Sequence, residues 1–301
     1  MTDNSRVWLV TGVSSGLGRA LVEAVLAKGE RAVATTRSSA TVDELAEKYP
    51  VSQLLVLRLD ITSEAAIASA FNTIKDHFGR LDVVVNNAGY GLKGEMESIT
   101  DELSRPLFET LFWGPVYITK QAVRFFREVN PKGLGGRVLQ ISSLAGYISP
   151  PTFNFYASAK AALETFTLSS AAELPPEWNI QMVVIEPGSF GTNWLTNNMI
   201  VAPRHPAYPD DAPSRKFMET FAQLPQIGDV QRAVQAMIKI AGETEKKLPK
   251  RLQLGTDAWG LAQLTAKGTL ADQEQWAELS HSTNADGYGL EVLDHLTFFE
   301  N

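Results

Sequence analysis

Ser143, Tyr156 and Lys160 are the residues of this 301-residue chain whose types and spacing best suit moving a proton. Tyr156 and Lys160 stand four apart in the segment Phe153-Asn154-Phe155-Tyr156-Ala157-Ser158-Ala159-Lys160. On a helix such a pair projects from one face. A phenol free in water has a pKa near ~10 and transfers protons poorly at neutral pH. An ammonium held beside it favours the phenolate and lowers that pKa. Ser143 precedes Tyr156 by thirteen positions, where an apolar run gives way to a loop, and its hydroxyl can donate to the oxygen that Tyr156 protonates. Such a group could move a proton on or off a carbonyl oxygen. A Tyr-x-x-x-Lys pair alone also occurs on many solvated helices, so its meaning depends on what the rest of the chain builds around it.

The elements that must position these residues begin at the N-terminus. Val7 to Val10 is a short apolar run that reads as a buried strand, and it enters Thr11-Gly12-Val13-Ser14-Ser15-Gly16-Leu17-Gly18. Leu17, Ala20, Leu21, Ala24 and Val25 then recur at helical spacing until Gly29. Strand, glycine turn and helix form the setting in which a helix N-terminus receives a pyrophosphate, although Gly-x-x-x-Gly-x-Gly differs from the Gly-x-Gly-x-x-Gly dinucleotide fingerprint. The next strand, 31–36, ends in Thr36-Arg37, where an NAD-binding unit would place an acidic residue. A guanidinium there suits a 2′-phosphate.

Strands are expected at 54–60, 81–85, 137–143, 180–185 and 251–254; an Ala-rich helix with Ile67, Phe71, Ile74 and Phe78 on one face follows the first of these, and further helices are expected at 107–128, 157–173 and 228–239. This alternation predicts a doubly wound, Rossmann-type α/β fold: about seven parallel strands flanked by helices, with Thr11, Arg37, Asp60 and Asn87 along one carboxyl edge. From 193 to 225 five prolines break the pattern. We read this stretch as a substrate loop or lid, the alternative being a disordered segment. Residues 256–301 form a C-terminal extension whose Trp259 and Trp276 are expected to be packing anchors. The whole chain is read as one dinucleotide-binding domain, without internal repeats.

Composition narrows the function. Net charge is −7, which disfavours nucleic acid, and the absence of cysteine excludes disulfides and thiolate catalysis. Four scattered histidines show no metal-ligand spacing, so no metal site is expected. No apolar run reaches the ~20 residues of a membrane span, and the N-terminal run is too short for a signal peptide. A cytoplasmic protein is the expectation.

Taken together, the glycine turn, Asp60, Asn86-Asn87-Ala88-Gly89, Ser143, Tyr156-x-x-x-Lys160 and Pro187-Gly188 with Thr192 resemble the short-chain dehydrogenase/reductase family of NAD(P)-dependent oxidoreductases, over roughly residues 6–192. The resemblance implies that Tyr156 is proton donor and acceptor, that Lys160 binds the nicotinamide ribose and lowers the tyrosine pKa, and that Ser143 orients the substrate oxygen. It implies a cofactor held by Gly12, Ser14, Ser15, Gly16, Leu17 and Gly18, with Arg37 at the 2′-phosphate of NADP(H). Asp60 and Ile61 would flank adenine. Asn87, Ala88 and Gly89 would meet the adenine-side ribose, and Pro187, Gly188, Phe190 and Thr192 the nicotinamide.

One position departs from the family pattern. Members usually carry asparagine three residues before the helix glycine, supporting a water relay to the lysine; here Leu111 precedes Gly114. Pro106 is expected to begin or kink the same helix.

The expected activity is an NADP(H)-dependent carbonyl reductase or alcohol dehydrogenase acting on a small, apolar ketone or secondary alcohol. The alternatives are an NADP(H)-binding regulatory or scaffold protein and an epimerase or dehydratase of the same family. Tyr90, Leu92, Phe153, Phe155, Phe190, Trp194 and Met199 are expected near the site. Helices 107–128 and 157–173 are candidate contacts for a homo-oligomer.

Overall fold

The computed structural model describes residues 5–38, 42–192 and 194–295. Residue 193 of the expected lid and residues 296–301 of the expected extension lie outside the described residues. The chain runs β1 (Val7–Thr11), α1 (Gly16–Ala27), β2 (Arg31–Thr36), α2 (Asp43–Lys48), β3 (Leu54–Arg58), α3 (Glu64–Phe78) and β4 (Val83–Asn86). A short β5 (Gly91–Lys93) leads to α4 (Asp101–Phe108), a π-helical turn at Glu109–Trp113, and α5 (Gly114–Glu128). Next come β6 (Gly136–Ile141), α6 (Ala145–Ile148), α7 (Asn154–Glu173) and β7 (Ile180–Pro187). The last third holds α8 (Trp194–Asn197), β8 (Met199–Val201), α9 (Pro213–Gln223), α10 (Val230–Ala241), β9 (Arg251–Leu254), α11 (Thr256–Gln275) and α12 (Ala277–His281).

Seven strands form one sheet in the order β3-β2-β1-β4-β6-β7-β9, and every pairing is parallel. This is the expected Rossmann-type doubly wound architecture. The order reverses between β1 and β4, and such a reversal opens a crevice at the carboxyl ends of the strands. The strand sequences explain why the sheet is covered twice. All five residues of β1 are buried, and the first four alternate between two cores. Trp8 and Val10 pack with Leu21, Val25, Val234 and Met237. Val7 and Leu9 pack with Ile67, Phe71, Ile74 and Phe125. An alternating strand with both faces apolar needs helices on both sides. Each fully buried aliphatic side chain contributes about 1.5–3 kcal/mol.

Several expected boundaries move. The third strand ends at Arg58 rather than Asp60, because the Asp60 carboxylate accepts from the N–H and hydroxyl of Thr62 and turns the chain. The fourth spans 83–86 instead of 81–85, and the strand expected at 137–143 stops at Ile141. The helix expected at 157–173 begins earlier, at Asn154. The helix expected at 107–128 starts at Asp101, so Pro106 lies inside it. The π turn follows directly, and Thr110 Oγ1 donates to the Pro106 carbonyl at 3.0 Å.

The stretch 194–225 is ordered rather than structureless. Its β8 pairs in parallel with β5, matching Gly91 with Met199 and Lys93 with Val201, and its α9 begins on Pro213, where a missing N–H is harmless. Trp259 and Trp276 are not packing anchors: they are 61% and 55% exposed. Helix α11 meets the body through Ala258 and Ala262, which leaves its large apolar side chains outside. Among the described residues, no helix is long and apolar enough to cross a membrane.

Candidate active site

The loops after β1 and β4 are tied together at the crevice. Thr11 Oγ1 donates to the Val85 carbonyl at 3.3 Å and accepts from the N–H groups of Asn87 and Ala88, each at 3.0 Å. Asn87 Nδ2 donates to the carbonyls of Thr11 and Gly12. Two glycines make this approach feasible. Gly12 has φ +71°, and a Cβ there would lie 2.6 Å from Ala88 Cα; one on Gly18 would lie 2.4 Å from Asn87 Nδ2.

The first turn of α1 is left open to an anion. Ser15 stands at the N-cap but makes no side-chain cap hydrogen bond, and the first turn carries no acidic residue. The unpaired N–H groups and the positive end of the helix dipole therefore suit a pyrophosphate. Ser14 is exposed beside them, while Gly16 and Leu17 are half-buried. Thr192 reaches the same turn, since a Cβ on Gly16 would lie 3.6 Å from the Thr192 Cβ.

Arg37 is exposed at the end of β2, and its charge is felt at Asp60 and Tyr90. The two hydrogen bonds from Thr62 hold the Asp60 carboxyl below its ordinary range; slight burial opposes them and Arg37 assists. Ile61 is buried, with its carbonyl against Gly114.

Ser143, Tyr156 and Lys160 meet at the carboxyl end of β6. The Ser142 N–H bonds the Ile185 carbonyl at 2.8 Å, which fixes the start of the loop. Ser143 Oγ accepts from the Ala145 N–H at 3.1 Å, and its hydroxyl is near enough to the Tyr156 phenol to favour the ionised form. Tyr156 and Lys160 are each 5% exposed on α7. Lys160 Nζ donates to the Ile141 carbonyl at 2.7 Å and lies 5.8 Å from the Tyr156 ring centre.

The electrostatics differ from the expectation that Lys160 lowers the tyrosine pKa. Burial pushes the Tyr156 phenol up to about 12, and the nearby Ser143 hydroxyl offsets only part of this. Burial also brings Lys160 down to about 8. The lysine is committed to a backbone carbonyl, so desolvation dominates both groups in the chain alone.

Leu111 lies in the π turn and is fully buried. A Cβ on Gly89 would lie 2.8 Å from Leu111 Cδ2 and 4.0 Å from Lys160 Nζ, so the leucine borders the lysine's surroundings. Asn154, the other amide near Tyr156 in sequence, uses Oδ1 to accept from the Phe155 N–H.

Most of the expected aromatic set does assemble. Leu92 and Phe153 share a buried cluster with Tyr156, against which Tyr90, Phe155, Trp194 and Met199 pack. Phe190 does not join them; its ring rests on Gly228 and packs with the α1 side of the sheet. Phe217 and Phe221 of α9 enter the cluster instead. Trp194 lies 5.3 Å from the Tyr156 ring, tilted by 56°.

A charged floor beneath the site escaped the sequence reading. Glu164 Oε1 accepts from Ser142 Oγ at 2.5 Å, and its other oxygen pairs with Arg251. Arg251 Nη1 also reaches Glu186 at 2.9 Å, and Gln253 Nε2 donates to the same carboxylate at 2.7 Å. Burial raises the Glu186 carboxyl and lowers the Arg251 guanidinium. One signal was present: Glu164 follows Tyr156 and Lys160 at the next i+4 step, a carboxylate on the buried face of α7. Asn86, read in the Asn86-Asn87-Ala88-Gly89 run without a role of its own, ties β4 to its neighbours, with Nδ2 2.8 Å from Gln140 Oε1 and 3.2 Å from Thr119 Oγ1.

Comparison with known proteins agrees with this geometry. Residues 6–199 match the family model for short chain dehydrogenase. The chain is 38% identical over 280 residues to an uncharacterized oxidoreductase of Schizosaccharomyces pombe, covering 93% of this chain and 92% of that one. It is 36% identical over 281 residues to oxidoreductase calM of Penicillium decumbens, covering 91% of each. A crystal structure of a short-chain dehydrogenase from Streptomyces avermitilis superposes with a TM-score of 0.83 at 34% identity, over 94% of this chain and 100% of that one.

Proposed function

We infer that this chain, which belongs to the short chain dehydrogenase family of oxidoreductases, is an NADP(H)-dependent carbonyl reductase or alcohol dehydrogenase for a small, apolar ketone or secondary alcohol. The observation that carries the reading is the burial of Tyr156 and Lys160 one turn apart on α7, with Lys160 Nζ 5.8 Å from the Tyr156 ring centre at the carboxyl end of β6, where Ser143 begins the loop. When bound, the nicotinamide nucleotide supplies or takes the hydride. The first turn of α1, from Ser14 to Gly18, holds the pyrophosphate, and Arg37 meets the 2′-phosphate. Asp60 and Ile61 border adenine, Asn87 to Gly89 the neighbouring ribose, and Pro187 to Thr192 the nicotinamide end.

In reduction, Ser143 donates a hydrogen bond to the substrate carbonyl oxygen, and Tyr156 passes its phenolic proton to that oxygen as charge develops there. A phenol at about 12 stays protonated at neutral pH and is ready to donate. Lys160 holds positive charge below pH of about 8, stabilises the phenolate left behind and binds the adjacent ribose. Phe153, Trp194 and the rings of α9 exclude water and receive the apolar part of the substrate. In this reading one dinucleotide-binding domain includes residues 194–225 as its lid, and two chains pair through α5 and α7. Exposed Trp113, stacked on Tyr117 with ring centres 6.1 Å apart, supports that pairing.

The test is steady-state consumption of NADPH and of NADH against a panel of aliphatic and aryl ketones. The reading expects turnover with NADPH that depends on the ketone. Absence of turnover on every carbonyl, with the chain folded and NADPH bound, overturns it.

A further inference from the structure

Glu95 is a charged residue buried where no part of the proposed chemistry uses it. It follows Gly94 just past β5 and is 2% exposed. Its partners come from a distant part of the chain. One oxygen accepts from the His205 N–H at 2.7 Å; the other accepts from Arg215 Nε at 3.0 Å and Ser214 Oγ at 3.3 Å. Arg215, 7% exposed, uses its two remaining nitrogens on the His205 carbonyl at 3.0 Å and on Asp210 at 2.7 Å. Burial alone would raise the Glu95 carboxyl, but the His205 N–H and the Arg215 hydrogen bond and charge outweigh it and hold it below its ordinary range.

Arg215 is the one described residue of α9 that is buried, although Phe217 and Phe221 on the same helix are stacked 5.8 Å apart. Phe221 meets Phe153 at 5.2 Å, and Phe153 in turn lies 6.2 Å from the Tyr156 ring and stacks on Trp194. An 11-residue helix is marginal by itself, so its place depends on tertiary contacts. Apolar rings alone could slide over one another. A buried carboxylate and guanidinium are costly to desolvate, but they tolerate a narrow range of geometries and so fix a register.

We propose that Glu95 is a positioning residue that pins α9 over Tyr156 and thereby sets the space open to the apolar arm of a carbonyl substrate. This inference rests on the reaction proposed above. The isosteric Glu95→Gln retains the shape and removes the charge. Trypsin should then cut after exposed Lys216 at least about tenfold faster than in the parent, while the thermal midpoint of the sheet changes little. With NADPH saturating, KM for an aryl alkyl ketone should rise at least about tenfold, kcat should fall less than about threefold, and KM for NADPH should stay put. Arg215→Lys, which keeps the charge and loses the planar fork, should give the same pattern at smaller amplitude and guards against misfolding of the first variant. Unchanged cleavage in both variants overturns the pin. Faster cleavage with an unchanged ketone KM, or an equal loss on cofactor and ketone, overturns the claim that the pin sets the substrate's space. If the parent turns over no carbonyl at all, the reaction fails and the cleavage rates alone decide whether Glu95 holds α9.

Discussion

Replacing Arg251 by methionine removes the only cation seen between two buried carboxylates among the described residues. Glu164 and Glu186 have side chains 1% and 0% exposed, while Arg251 is 27% exposed and lies over the Tyr147 ring. Methionine keeps much of the stem and its packing. It leaves Glu164 with Ser142 and Glu186 with Gln253 as hydrogen-bond donors, and no positive charge. Breaking a buried pair from one side costs about 3–5 kcal/mol; the water that reaches Arg251 argues for the lower end, about 3 kcal/mol. That is a large share of the ~5–15 kcal/mol typical of a folded protein. The loss should also depend on pH in a definite direction. Burial already raises the Glu186 carboxyl, and without the guanidinium its folded pKa stays above its unfolded one, so its protonated form is favoured by folding. The variant's deficit should then be smallest at low pH and grow as pH rises through that folded pKa. Urea unfolding of parent and variant, at about pH 5.5 and about pH 8, measures both effects. Adding Glu164→Gln should recover part of the loss at the higher pH. A deficit below about 1 kcal/mol, or one that does not shrink on acidification, refutes the reasoning.

Three further outcomes are expected. Lys160 has its folded pKa lowered from 10.5 to about 8, so between these values the unfolded chain binds more protons and stability should rise with pH, by up to on the order of 3 kcal/mol. Urea midpoints across that window should show the rise, and Lys160→Met should flatten it. Leu111→Asn should raise kcat on a carbonyl substrate without changing NADPH affinity if proton supply to Lys160 limits the rate, at a stability cost of about 1–3 kcal/mol for a buried amide. A folded variant with unchanged or lower kcat shows Leu111 to be a packing residue. Arg37→Ala should lose most of the preference for NADPH over NADH, roughly ten- to a hundredfold, in a direct binding titration. Equal parental affinity for the two cofactors contradicts that assignment.

The parts of the fold legible in the sequence were those governed by neighbours along the chain. Val7 to Val10 and Ile180 to Ile185 are apolar runs that only a doubly covered sheet accommodates, and both are strands of that sheet. The Gly12–Gly18 turn and the Tyr156/Lys160 step announce their backbone geometry locally. Distant pairings were invisible for the same reason. Five prolines hid the order in 194–225, which comes from β5 and from Glu95, a residue 120 positions away from Arg215. The tryptophans of the C-terminal helices were misread because an amphipathic pattern does not reveal that alanines make the contact. The sign of the Tyr156 shift was missed because adjacency suggests a charge effect, whereas burial is a property of the finished fold.

The central claim is that Tyr156 supplies the proton for a net transfer of hydrogen between NADPH and a carbonyl carbon. A single turnover with NADPH deuterated at the transferring position and a simple aryl alkyl ketone tests it most directly, with the alcohol read by mass spectrometry. The account predicts one deuterium at the carbinol carbon of each alcohol formed by the parent. It also predicts that Tyr156→Phe, still binding NADPH, forms less than about one hundredth as much alcohol. Alcohol without deuterium at that carbon, or a Tyr156→Phe rate above about a tenth of the parent's, contradicts it.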